Sequence, residues 1–407
     1  MPPPLARPSR LECSACRKEY DPSVPRNVCD CGKPLFVRYG LGAVSRDALL
    51  VRRDLWRYLP VLPVASEDRI VSLGEGGTPL LRCPAIERTY GLRQVFVKEE
   101  AANPTGTFKA RGMAVAVSRA KELGLARLAV PSAGNAGSAL AAYAAKAGLE
   151  ALVVSPKDTP LSIVQETVLF GARLFFVDGT IARAAEIVRA VCTTAGWFDM
   201  ATMYEPYRVE GKKTMGYELW EQLGGLPDWV VFPTGGGTGV VGLWKAFQEL
   251  KELGWHDGPL PRIAFVQAAG CAPIVRAFEV GKDGSDPWKD PATIAPGLKV
   301  PKALGDFLVL RAARETGGTG VAVTDDGMRA GVTEFARLEG IGACYEGGAT
   351  LAALRRLVET GKVKPDHTVV LFNTGTPLKN PFPPRPAKVS TVESADEILR
   401  KLGGPTA

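Results

Sequence analysis

Short apolar runs alternate with longer stretches whose apolar residues recur every three or four positions. QVFVKEE (94–100), RLAVPS (127–132), EALVVSP (150–156), ARLFFVDG (172–179), RIAFVQAAG (262–270) and HTVVLFNTG (367–375) are the short runs. Each is β-branched or aromatic in character and bounded by glycine, proline or polar residues, which predicts buried strands. GSALAAYAAKAG (137–148) and LSIVQETVLFG (161–171) carry the helical period between them. WVVFPTGGGTGVVGLWKAFQEL (229–250) reads as strand, glycine loop and helix in one run. Strands alternating with helices imply an α/β fold with parallel sheets covered on both faces. Ligands in such folds sit at the carboxyl ends of the strands, and the unusual loops of this chain all fall there.

Two ends break the pattern. Before a linker at RYGLGAVSRD (38–47), the first segment has no such alternation but holds four of the eight cysteines, Cys13, Cys16, Cys29 and Cys31. After the last strand, a proline-rich tail ends in SADEILRKL (394–402), an amphipathic pattern capped by Ser394.

With 407 residues, 46% of them hydrophobic, the chain can bury more than one core. Its net charge of +7 comes from 50 basic and 43 acidic residues without a basic block, which is weak ground for nucleic-acid binding. No apolar segment follows MPPPLARPSR, and no unbroken run is long enough for a membrane span, so a cytoplasmic address is expected. There are two histidines, His256 and His367, both in polar, turn-like settings. Serine–histidine triads and multi-histidine metal centres are therefore poor candidates. Cys83, Cys192, Cys271 and Cys344 are scattered and read as core residues. The clustered four suit a zinc knuckle better than disulfides, since thiolates favour tetrahedral zinc and a small module needs a staple. The second pair is C-x-C rather than C-x-x-C, and a metal-free relic of a zinc ribbon is the alternative.

Four loops could carry chemistry. PTGGGTG (233–239) lets the backbone approach an anion, and the helix behind it adds its positive end. It is neither a Walker loop nor a full dinucleotide fingerprint, because Val240 stands where the third glycine is required. SAGNAG (132–137) admits a flat ligand against small residues and offers the Asn135 amide, although helix caps look similar. NTGTPLKN (373–380) projects the Thr374 hydroxyl from a strand end, with a plain turn threonine as the alternative. EPYRVEGKKTMGYE (205–218) gathers Arg208, Lys212 and Lys213 in what reads as a charged loop ahead of a helix, either solvated or a second anion site. NPTGTFKARGM (103–113) singles out Lys109 behind a Pro-Thr-Gly turn and an aromatic residue. A phosphate nest, a set-apart lysine, a flat slot and few histidines fit pyridoxal phosphate (PLP), which bonds a lysine as a Schiff base.

These motifs, with LGEGGTPL (73–80), APGLKVPKALGDFLVL (295–310) and the cysteine knuckle, stand in the order found in the threonine synthases. The chain thus resembles that family, in the tryptophan-synthase-β-like group of PLP enzymes, over roughly Leu11 to Lys379. The resemblance implies fold type II: two open, parallel-rich sheets covered by helices, here with an N-terminal zinc-ribbon-like module. It implies a knuckle at 1–42, a large PLP-binding domain from 43–113 and 214–385, a small domain at 114–213 and a tail at 386–407.

The residue roles it implies are these. Lys109 bonds the cofactor, Asn135 meets its ring hydroxyl, Gly235, Gly236, Gly237, Thr238 and Gly239 cradle its phosphate, and Thr374 meets its pyridine nitrogen. Ser132, Arg208, Lys212 and Lys213 would bind substrate, and Cys13, Cys16, Cys29 and Cys31 would hold zinc. The family reaction turns O-phospho-L-homoserine and water into L-threonine and phosphate, in a homodimer without nucleic-acid or membrane partners. Three positions depart from the usual pattern. Ala110 replaces a frequent aspartate, Tyr345 a frequent proline, and Pro377 the second glycine of the last motif, where it stiffens the loop behind Thr374. A serine or threonine dehydratase, or a β-replacement enzyme making cysteine or cystathionine, is the nearest alternative, and a non-enzymatic zinc-ribbon binder the most distant.

Overall fold

The computed structural model describes residues 7–379 and Ile398. The tail from 386, with its amphipathic pattern at 394–402, lies outside the described residues apart from Ile398.

Three sheets organise the chain. The largest has the order Thr319–Val323, Arg262–Ala268, Trp229–Pro233, Thr368–Asn373, Gln94–Glu99 and Leu80–Arg82. Its strands run parallel except for the edge strand Leu80–Arg82, which pairs antiparallel with Gln94–Glu99. A second sheet, Arg173–Val177, Glu150–Pro156, Arg127–Pro131 and Phe198–Asp199, is parallel throughout. Every strand expected from the apolar runs is present in one of these two. Trp229–Pro233 is buried along its whole length, as expected of a central strand with helices on both faces. The third sheet is small and antiparallel: Pro8–Cys13 lies between Glu19–Tyr20 and Leu35–Tyr39. It docks through Tyr39, whose hydroxyl donates to Glu210 Oε2 at 2.7 Å.

EPYRVEGKKTMGYE is not a loop. Tyr207–Leu223 is a single helix, buried from Tyr207 to Leu219. Its glycines serve close packing rather than turning. A Cβ on Gly211 would lie 1.9 Å from the Arg111 carbonyl oxygen, and one on Gly216 would lie 2.6 Å from Ala246 Cβ. Gly211 thus lets this helix cross Lys109–Glu122 backbone to backbone.

The crossing is locked by charges. Arg111, fully buried, donates to Glu100 and Glu218, and Lys98 adds a 2.7 Å bond to Glu218. Its ion pairs hold Glu218 well below the usual carboxylate range. Every member is paired, as a buried network requires. Of the scattered cysteines, Cys83, Cys271 and Cys344 are buried, whereas Cys192 is half-buried on the helix Ile181–Ala195. His367 Nδ1 accepts from Trp229 Nε1 and the Lys364 amide, and His256 Nε2 lies 3.1 Å from the Pro259 carbonyl, so both histidines serve local structure.

Candidate active site

Four strand ends meet around one cavity. Its walls include Lys109, Asn135, Thr374 and the whole run Pro233–Gly239, and it encloses about 600 Å³ of empty space, partly open to solvent. The glycine loop follows the strand Trp229–Pro233 and opens the helix Thr238–Glu252. Gly237 adopts φ +86°, which favours glycine. A Cβ on Gly239 would meet Phe232 ring carbons at 2.2 Å, and one on Gly235 the Gly297 carbonyl oxygen at 2.1 Å. The loop is therefore held flat against its surroundings, and the first amides of the helix have no preceding turn to bond. A phosphate fits this cradle.

Lys109 begins the helix Lys109–Glu122. Its ammonium lies 4.2 Å from the Phe108 ring centroid, over the same ring that Lys212 approaches at 3.8 Å. Burial, reinforced by the Arg208 charge and opposed by Glu346, brings the Lys109 amine down to about 7. In the same cavity Asn135 Oδ1 is buried without a hydrogen-bond partner among the described residues, an open acceptor for a ring hydroxyl. Thr374 is 7% exposed, and its carbonyl accepts from the Phe108 amide at 3.1 Å. The Thr376 amide donates to the Gly106 carbonyl at 2.8 Å, so the loop carrying Pro377 is tied to the one carrying Lys109.

Donor set, cradle and open acceptor together fit PLP. A model for the family "Pyridoxal-phosphate dependent enzyme" matches residues 71–375. The chain belongs to the pyridoxal-phosphate dependent enzymes. Among its relatives, the threonine synthase of Methanosarcina acetivorans is 37% identical over 91% of this chain and 92% of its own length. That of Methanocaldococcus jannaschii is 36% identical over 91% and 92%. Maize serine racemase, a solved structure, superposes with a TM-score of 0.65 at 21% identity, covering 74% of this chain and 88% of its own, and so shares the fold. The resemblance read from the motifs is borne out by the family and by these relatives.

The remaining expected residues of this PLP enzyme fall outside the cavity walls. Arg208 is 1% exposed and donates from Nη1 to the Met200 carbonyl at 2.6 Å, while Nε and Nη2 have no partner among the described residues. Burial brings it down to about 10 despite Glu205 and Asp199. Lys212 bonds the Phe108 carbonyl, and burial beside Lys109 and Arg208 lowers it well below the ordinary lysine value. Lys213 is not brought to the site. Its ammonium is 2.8 Å from both Glu210 and Glu249, fully buried, and raised by them. The Ser132 hydroxyl is committed to its own loop, accepting from the Gly137 amide at 2.9 Å and donating to the Gly134 carbonyl at 2.7 Å.

The motif readings missed Glu346 and Cys344, both of which line the cavity. Glu346 Oε1 accepts from the Gly297 amide at 2.8 Å and so pins the Pro296–Leu298 turn against the cradle. The available signal was an acid in the first turn of the helix Tyr345–Glu359, where the helix dipole favours it.

The four clustered cysteines converge, with their sulfurs all within 4.8 Å of one another. Cys13–Cys31 and Cys16–Cys29 are 3.5 Å apart, and Cys31–Cys16 is 3.7 Å. Four thiolates about 2.3 Å from one tetrahedral zinc lie about 3.8 Å from each other, so the cluster fits that metal.

Proposed function

We infer that this chain is a threonine synthase, converting O-phospho-L-homoserine and water to L-threonine and phosphate. The observation that carries the substrate assignment is Arg208. It is a buried guanidinium behind the cavity wall, with two donors that have no partner among the described residues, and its backbone packs against Gly112 on the helix that Lys109 opens. A second anion subsite behind the cavity that Lys109 lines suits a substrate that brings its own phosphate.

Bound in the cavity, PLP supplies the electron sink that lets α- and β-protons of an amino acid be removed. The chain's residues do the rest. The amides of Gly235–Gly239 would hold the cofactor's phosphate, the Asn135 Oδ1 its ring hydroxyl, and the Thr374 hydroxyl its ring nitrogen, where a neutral partner would not force protonation. Lys109, with an amine near 7, takes and returns protons at neutral pH without a histidine. Arg208 orients the phosphate that leaves when the Cγ–O bond breaks, and water adds at Cβ. Lys212 fixes the Phe108 carbonyl at the start of the Lys109 helix. Zinc is the metal we assign to the cysteine cluster, with the homodimer that the family resemblance implies and the cytoplasmic address expected from the sequence.

The test is phosphate and threonine measured together with O-phosphohomoserine as substrate. Equal amounts of both are expected, and Lys109→Ala should lose turnover and the visible absorbance of the loaded enzyme. Deamination of threonine with no consumption of phosphohomoserine would transfer the chain to the dehydratases.

A further inference from the structure

The segment between the two cysteine pairs reaches the residues that surround Arg208, behind the cavity. It leaves Cys16, forms the short strand Glu19–Tyr20, and returns to Cys29 through a stretch that is half-buried or exposed and has almost no regular structure. Yet three of its contacts fall around Arg208. The Pro22 carbonyl accepts from Arg119 Nη2 at 2.8 Å and from the Tyr207 hydroxyl at 3.3 Å. Asn27 Nδ2 donates to the Asp199 carbonyl at 2.7 Å. Tyr207 directly precedes Arg208, and Asp199 directly precedes Met200, whose carbonyl holds Arg208 Nη1. Arg119 lies on the helix that begins with Lys109 and stands 5.6 Å over the Tyr207 ring.

We propose that the metal-loaded knuckle is a clamp for the Arg208 anion subsite, so that zinc content sets how tightly the enzyme holds phosphate there. The inference rests on the reading of Arg208 as that subsite. The physical reason is that the Pro22–Asn27 stretch has little core of its own, so its position is inherited from its ends. Its ends, Cys16 and Cys29, belong to the cluster that would hold one ion, and metal binding would add ordering free energy to such a segment. The cluster is built to carry charge: the amides of Ala15 and Cys16 point at Cys13 Sγ at 3.4 Å, and that of Cys31 at Cys29 Sγ at 3.5 Å. Arg208 needs such a clamp because its side chain has one protein hydrogen bond and two vacant donors. The Met200 carbonyl is the anchor of its side chain, and the Glu205 carboxylate holds the Tyr207 and Arg208 amides. Arg208 is a binding residue in this scheme, and Asn27 and Pro22 are positioning residues.

The test uses PLP-loaded enzyme, with inorganic phosphate as the probe, titrated by calorimetry while the visible band reports on the cofactor site. Elemental analysis should find about one zinc per chain. Cys31→Ser should lose the metal and weaken phosphate at least about tenfold with the visible band in place. Asn27→Ala should keep the metal and weaken phosphate about threefold to tenfold, the scale of one hydrogen bond. This second variant keeps the proposal testable if the cysteine variant does not fold. Enzyme free of zinc yet tight for phosphate, or Asn27→Ala with unchanged affinity, overturns the clamp. Arg208→Gln with unchanged phosphate affinity instead overturns the subsite reading beneath it.

Discussion

In the cofactor-free protein, the Lys109 amine should titrate near 7. An ordinary lysine at 10.5 is neutral in roughly one molecule in 3,000 at pH 7, whereas one at about 7 is neutral in about half. Acylation by a small reagent needs the neutral amine, so at pH 7 Lys109 should label faster than an ordinary lysine of equal access, although the less basic amine is intrinsically the weaker nucleophile. Competitive labelling with acetic anhydride from pH 5 to 10, read by mass spectrometry on the peptide containing Lys109, measures this directly. Exposed lysines of the same digest serve as internal standards. The labelling curve should have its midpoint near pH 7. Burial is the main cause and persists in variants, so the charge contributions appear as smaller displacements. Arg208→Gln removes a neighbouring positive charge and should move the midpoint up. Glu346→Gln removes the opposing carboxylate and should move it down. A wild-type midpoint near 10 would refute the reasoning, and with it the account of a lysine that exchanges protons at neutral pH without a histidine.

Gly239→Ala should place a methyl group where the Phe232 ring now stands, 2.2 Å from its carbons. Overpacking of this kind costs about 1–3 kcal/mol, and the variant should lose its visible band on dialysis as the cradle distorts. Arg111→Met leaves Glu100 and Glu218 buried without their guanidinium. Urea unfolding should show a loss of about 3–5 kcal/mol, with the midpoint lowered and the slope unchanged. Lys213→Met should likewise destabilise the fold by uncovering Glu210 and Glu249, yet leave phosphate affinity unchanged. Weakened phosphate binding in that variant would return Lys213 to the substrate site.

The sequence by itself determined the strands, their parallel arrangement and the loops that line the cavity. Each of those is local: an apolar run, a glycine cluster, or a lysine behind a tight turn is legible within about ten residues. Lys109, Asn135, Gly235–Gly239 and Thr374 belong to different stretches of the chain, but the α/β rule that sites gather at the carboxyl ends of strands joins them. Tertiary structure decided what the charged residues do. The glycines of EPYRVEGKKTMGYE look like turn residues, and only the approach of the Arg111 backbone explains Gly211 inside a helix. Adjacent Lys212 and Lys213 look equivalent in the chain. On the helix they face different neighbours, and Lys213 finds Glu249 36 positions away. Glu346 and Gly297, 49 positions apart, meet only because the fold brings two loops to one wall. A charge has no preferred partner in one dimension. Its pKa and its role are set by what burial removes and by which opposite charge remains within reach, and both are properties of the packed molecule alone.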